Sequence, residues 1–169
     1  MRPIQEPGFA PLGDDDREAM LREHIPYRLS LLLDGLRPAW APACQHTNQA
    51  FEAGVVSGRI LLSFLGLGYD RIAGTLREER KHHGRDSLTD DVKAPDVGGR
   101  FVDLQSLTPE EKNILARFIL GAHKACAHFT IGSDHQLVPQ TYADAGPIIF
   151  RLMKKCFPNH PESWPKWTN

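Results

Sequence analysis

Apolar residues recur along this chain at helical spacing, with no strand alternation of useful length. Leu21, Ile25, Leu29, Leu32 and Leu36 stand at i, i+4, i+8, i+11 and i+15, one face of a helix that begins near Asp14–Asp16. Those three carboxylates suit the positive end of a helix dipole. Pro26 interrupts the face by removing a backbone donor, so the pattern predicts a kink there, or two helices with the second starting at Pro26. In "NQAFEAGVVSGRILLSFLG" the stripe Phe51, Val55, Gly58, Leu62, Leu65 is broadened by Val56, Leu61 and Phe64, which predicts a central second helix. Gly58 would let another helix approach closely, at a propensity cost of about 1 kcal/mol relative to alanine.

Residues 67–107 are harder to place. Ile72 and Leu76 are spaced for a two-turn helix in "YDRIAGTLREER", and "DDVKAPDVGGRFVDLQSL" holds too many turn residues for a helix and suits a short extended piece. "TPEE" then starts a third helix, with Thr108 at the N-cap, Pro109 at the first position and Glu111 completing a capping box. Ile114, Leu115, Phe118, Ala122, Ala125 and Phe129 follow on one face. A fourth helix is expected from about Tyr142 to Cys156, with Pro147 as a first-turn residue or a kink. The pattern gives an all-α fold, a four- or five-helix bundle with a long, partly irregular loop between helices two and three. Residues 1–13 read as an extended arm, 14–157 as one helical domain, and 158–169 as a Pro/Trp-rich tail leaving the bundle.

Composition narrows the function classes. A net charge of −1 gives no global field for holding nucleic acid. Cys44, Cys126 and Cys156 are odd in number and widely spaced, which suits reduced thiols and no disulfide framework. The first residues have no continuous apolar run of the signal-peptide kind, and "GRILLSFLGLG" is too short to cross a bilayer. A cytoplasmic protein without membrane association is expected.

Candidate chemistry concentrates in "RFILGAHKACAHFTIGSDHQ". A zinc site needs three or four groups converging on one point. His123 and His128 are five apart, pointing about 140° from each other on a helix, and Cys126 projects in a third direction; no metal and no cofactor is expected. Arg117, Lys124 and His128 fall within about 40° of one another along one edge. No nucleophile elbow, Gly-rich phosphate loop or dinucleotide fingerprint occurs. Asp90, Asp91 and Asp96 in "TDDVKAPD" form an acidic group able to bind a cation or to cap and clamp helices.

Three segments in order, "SGRILLSFLG", "TDDVKAPD" and "AHKACAHFT", resemble a widespread set of uncharacterised bacterial helical proteins, distantly similar to HEPN bundles. The match covers about residues 50–130 and follows the pattern H-A-R-x-L-L-x-F-L, D-D-V-x-A-x-D, N-K-x-x-A-H-L-T. It picks out Arg59, Asp90, Asp91, Asp96, Lys124, His128 and Thr130, with Ser57 where the pattern has histidine and His123 where it has asparagine. Several HEPN proteins are metal-independent endoribonucleases with an Arg-x4–6-His motif, and "RFILGAH" has that spacing between Arg117 and His123. So do Arg17 with His24, and Arg77 with His82 and His83, so spacing alone selects no pair.

Arg59 lies in the most apolar helix, where a guanidinium needs a partner. The expectation is a polar network of Arg59 with Asp90, Asp91 or Asp96, completed by Lys124 and His128, which pins the 67–107 loop across helices two and three. Three functions follow. The leading one is a non-catalytic interaction module, homodimeric through a bundle face or docking a protein partner. The second is an HEPN-like endoribonuclease using Arg117, His123 or His128 on RNA. The third is a pocket for a small anionic ligand around Arg59 and His128.

Overall fold

The first helical stretch passes through Pro26 by changing its winding. In the computed structural model, which describes residues 12–36, 45–79, 92–127 and 139–166 (backbone alone at 36, 45–48, 124–127 and 139), helix α1 spans Asp14–Ala19 and α2 spans Ile25–Leu36. Between them Met20–His24 forms a π turn, in which the Ile25 N–H donates to the Met20 carbonyl. Continued α winding would drive the Pro26 ring against the Arg22 carbonyl, at about 3 kcal/mol or more. One residue of slack relieves that clash, and a second α-helix starts at Ile25, one residue before the start at Pro26 that the sequence suggested.

Helix α3 (Gln45–Phe64) packs along α2, with α4 (Pro109–Ala127) and α5 (Pro139–Cys156) completing an all-α bundle. The packing of α3 against α2 and α4 is set by small residues. A Cβ on Gly54 would come within 3.0 Å of the Gly35 Cα, and one on Gly58 within 2.7 Å of the Phe118 ring. Tyr142 of α5 closes the α2–α3 contact, its hydroxyl donating to the Leu32 carbonyl at 2.7 Å. The Thr108–Glu111 capping box forms as expected: the Glu111 N–H donates to Thr108 Oγ1 at 3.1 Å, and the Thr108 N–H to Glu111 Oε2 at 2.9 Å. The other Glu111 oxygen pairs with Arg151 of α5. Helix α5 starts at Pro139, earlier than the apolar pattern suggested, and carries Pro147 inside it.

Where Ile72 and Leu76 suggested a helix, the chain forms an antiparallel hairpin of β1 (Leu67–Asp70) and β2 (Thr75–Glu78), with Tyr69 opposite Leu76. Asp70 Oδ1 accepts from the Ile72 and Ala73 N–H groups, and Gly74 takes the positive φ that closes the turn. Only Leu76 of the pair is buried; Ile72 is fully exposed at the tip. Turn chemistry outweighed a two-residue apolar spacing.

Residues 92–107 run across the ends of the bundle in two 3-10 turns, Ala94–Val97 and Leu104–Ser106. The Val102 N–H donates to the Leu65 carbonyl at the end of α3, while Arg100 caps the end of α5 through the Lys155 and Cys156 carbonyls. The C-terminal segment does not leave the bundle. Trp164 is 4% exposed, its ring lies 5.4 Å from Phe157, and its indole N–H donates to the Leu21 carbonyl at 2.7 Å. No helix among the described residues is long and apolar enough to cross a membrane.

Candidate functional site

Lys93 is the only charged side chain that the fold buries among the described residues, at 3% exposure. Its backbone is fixed first. The Lys93 N–H donates to Asp96 Oδ2 at 2.7 Å, and the Asp96 N–H donates back to the Lys93 carbonyl at 2.9 Å, starting the Ala94–Val97 turn. Ala94 and Val97 then enter the core on either side of this exchange.

The Lys93 ammonium reaches the last turn of α3, donating to the Ser63 carbonyl at 3.0 Å and to Ser63 Oγ at 2.9 Å. The end of a helix carries unsatisfied carbonyls and partial negative charge, which favour a cation there. Ser63 Oγ in turn donates to Glu79 Oε2 at 3.4 Å. Among the described residues no carboxylate lies within ion-pair distance of Lys93. Among the described residues the buried ammonium is thus held directly by two neutral oxygens at a helix terminus, with the Glu79 carboxylate one hydroxyl away.

A cleft of about 350 Å³ opens beside this group. Met20 and His24 come to it from the π turn, Ile25 and Arg28 from α2. Ile60, Leu61, Ser63 and Phe64 come from α3, and Val92 and Lys93 from the segment 92–107. Its lining is largely apolar, with His24, Arg28, Ser63 and Lys93 as its polar residues, and among the described residues no Asp or Glu lines it. Arg28 is also steadied over the Tyr27 ring, 5.5 Å from its centroid.

The residues singled out from sequence lie elsewhere or beyond view. Arg59 is half-buried on α3 and forms no ion pair among the described residues. Asp96 serves the turn that sets Lys93. Asp90, Asp91, His128 and Thr130 lie outside the described residues, and Lys124 is described by its backbone in α4 alone. Arg117 is exposed and His123 half-buried, both on α4. Ser57, standing where the resembling pattern has histidine, is fully buried, and its hydroxyl has no hydrogen-bond partner among the described residues.

Compared with family models, curated proteins and solved structures, the chain matches none. The site therefore rests on its own geometry. Sequence reasoning passed over Lys93 because the resembling pattern leaves its position open, between the aspartates. A usable signal was present: a lysine flanked by Val92 and Ala94, directly ahead of a proline turn that Asp96 can cap. His24 and Arg28 carried no signal of a site, since nothing in the apolar spacing indicates that the winding changes ahead of Pro26.

Proposed function

We propose that this protein binds a small amphipathic anion, an apolar body carrying one carboxylate-like head, in the cleft beside Lys93. The third expectation from sequence, an anionic-ligand pocket, is the one favoured, with Lys93, Arg28 and His24 taking the place given to Arg59 and His128. The observation that carries it is the buried Lys93 ammonium with no carboxylate in ion-pair reach among the described residues. Burying a charge costs several kcal/mol unless it is paired. A ligand carboxylate entering the cleft gives the ammonium a direct counter-charge, while Ile25, Leu61 and Phe64 cover its apolar part. The cleft volume falls at the small end of the range for ligand sites, about 300–1,000 Å³.

The test is calorimetric titration with octanoate, octan-1-ol and octylammonium, on wild type and Lys93→Met. Octanoate is expected to bind, octanol more weakly and octylammonium not at all, and Lys93→Met is expected to weaken octanoate at least about tenfold, the loss of one charge-assisted contact. Equal binding of octanoate and octylammonium, or octanoate binding untouched by Lys93→Met, overturns the reading.

A further inference from the structure

The π turn that brings Met20 and His24 to the cleft leaves the Leu21 backbone carbonyl without a donor from the helix. In α winding, the Leu21 carbonyl would receive the Ile25 N–H; here that N–H goes to Met20. In π winding, Leu21 would receive the N–H of residue 26, which is proline and has none. Both helical donors are therefore lost. The Trp164 indole N–H, 143 residues along the chain, fills the position at 2.7 Å.

The alternative register has the opposite defect. Rewinding residues 20–25 as α-helix would return the Ile25 N–H to Leu21, but would set the Pro26 ring against the Arg22 carbonyl and leave that carbonyl without a donor. The α register orphans Arg22 alone, whereas the π register orphans Leu21 and one of Arg22 and Glu23, which share the single Tyr27 N–H. The Trp164 indole brings the two registers level, and the Pro26 clash then favours π. Trp164 is held for this task by its ring contacts with Phe157 and His160, and by the Trp164 N–H bond to the Pro161 carbonyl. Removing the extra residue of a π turn rotates the residues before it by up to about 100° relative to those after it. Ile25 and Arg28 would stay in place while Met20 and His24 turned away from the cleft.

We infer that Trp164 is a positioning residue for the Lys93 cleft: its indole N–H selects the π register and so holds Met20 and His24 in the binding wall. This rests on the proposed ligand-binding reading of that cleft. The C-terminal segment, which also stacks Phe157 on Phe64 of the cleft lining, thereby sets its affinity.

The experiment is a double-substitution cycle on the full chain with Trp164→Phe and Pro26→Ala, read by octanoate affinity, thermal midpoint and register. Register is read from the through-hydrogen-bond nitrogen–carbonyl coupling of the Ile25 amide, which pairs with Met20 in the π form and Leu21 in the α form. Trp164→Phe keeps the ring packing and removes the donor; it is expected to lower the midpoint, move the coupling toward Leu21 and weaken octanoate at least about fivefold. Pro26→Ala removes the clash and restores a helical donor, so the coupling is expected at Leu21 with a similar loss of affinity and no loss of midpoint. The double variant is expected to bind no more weakly than Pro26→Ala alone, since both changes act through one register. An Ile25 coupling that stays on Met20 in Trp164→Phe, or affinity losses that multiply in the double variant, overturns the inference. Absence of octanoate binding to wild type counts against the cleft reading, while the coupling still decides the register.

Discussion

The Tyr142 hydroxyl donates to the Leu32 carbonyl across 110 residues of chain, and it does so at the point where α2 and α3 come closest. Burial pushes its ionisation well above the ordinary tyrosine range, with the Asp34 charge adding to the effect. Because the folded state favours the neutral phenol, this contribution to stability is complete below about pH 10 and is lost as pH rises beyond it. Tyr142→Phe is expected to cost about 1 kcal/mol at neutral pH, the typical net value of one such bond. It should also flatten the fall in stability between about pH 9 and pH 11. Urea midpoints measured across that range check both, and an unchanged alkaline slope would discount the role of Tyr142.

Gly54 leaves no room for a side chain. An added methyl would lie 2.2 Å from Tyr142 Oη and 3.0 Å from both the Gly35 Cα and the Leu31 carbonyl. Backbone atoms cannot step aside as a flexible side chain can. Gly54→Ala is therefore expected to destabilise by about 1–3 kcal/mol through overpacking, outweighing the gain of about 1 kcal/mol in helix propensity. Tyr142→Phe removes one of the clashing atoms, so the double variant should be less destabilised than the sum of the two changes. Chemical denaturation of the four proteins tests this; strict additivity would place the two residues in separate environments.

The helical class was legible in sequence because its signals were strong and local. The capping box at Thr108 and the stripe around Val55 and Leu62 gave α4 and α3, and Gly58 is indeed a close-approach position. The hairpin at 67–78 was missed because two apolar residues four apart mimic a helix, whereas the deciding contacts are Asp70 to its own turn and the positive φ of Gly74. The candidate site was less legible still. Its anchor depends on Lys93 meeting Ser63, thirty residues away, and its wall on a change of winding that requires Trp164. Periodicity records which residues share a face, not which distant donor rescues an orphaned carbonyl. The long loop is held across the bundle by Lys93, Arg100 and Val102, where the sequence reading had assigned that task to Arg59.

Ser57 offers a substitution of opposite sign. Its hydroxyl is buried in α3 without a partner among the described residues, so it is desolvated without compensation. Ser57→Ala is expected to raise stability by about 1 kcal/mol, with a small helix-propensity gain in the same direction. A thermal melt distinguishes this from the ordinary outcome of a core truncation. A lowered midpoint would mean that the hydroxyl has a partner.

Lys93 separates a ligand anchor from a structural clamp by stability alone. Lys93→Met keeps an unbranched stem of similar length, removes the buried charge, and gives up two hydrogen bonds to Ser63. Neither acceptor is stranded: the Ser63 carbonyl still receives the Gly66 N–H at 3.0 Å, and Ser63 Oγ retains Glu79. Replacing a buried charge by an apolar side chain of similar shape is commonly neutral or stabilising, by up to about 1–4 kcal/mol. An anchor awaiting a ligand should behave this way, so urea unfolding of ligand-free Lys93→Met is expected to show stability equal to wild type or higher, alongside the loss of octanoate binding. A loss of about 2 kcal/mol or more would instead mean that the ammonium's bonds to α3 outweigh its desolvation. Lys93 would then belong to the strap that ties residues 92–107 across the bundle, and the cleft would be left without an anchor.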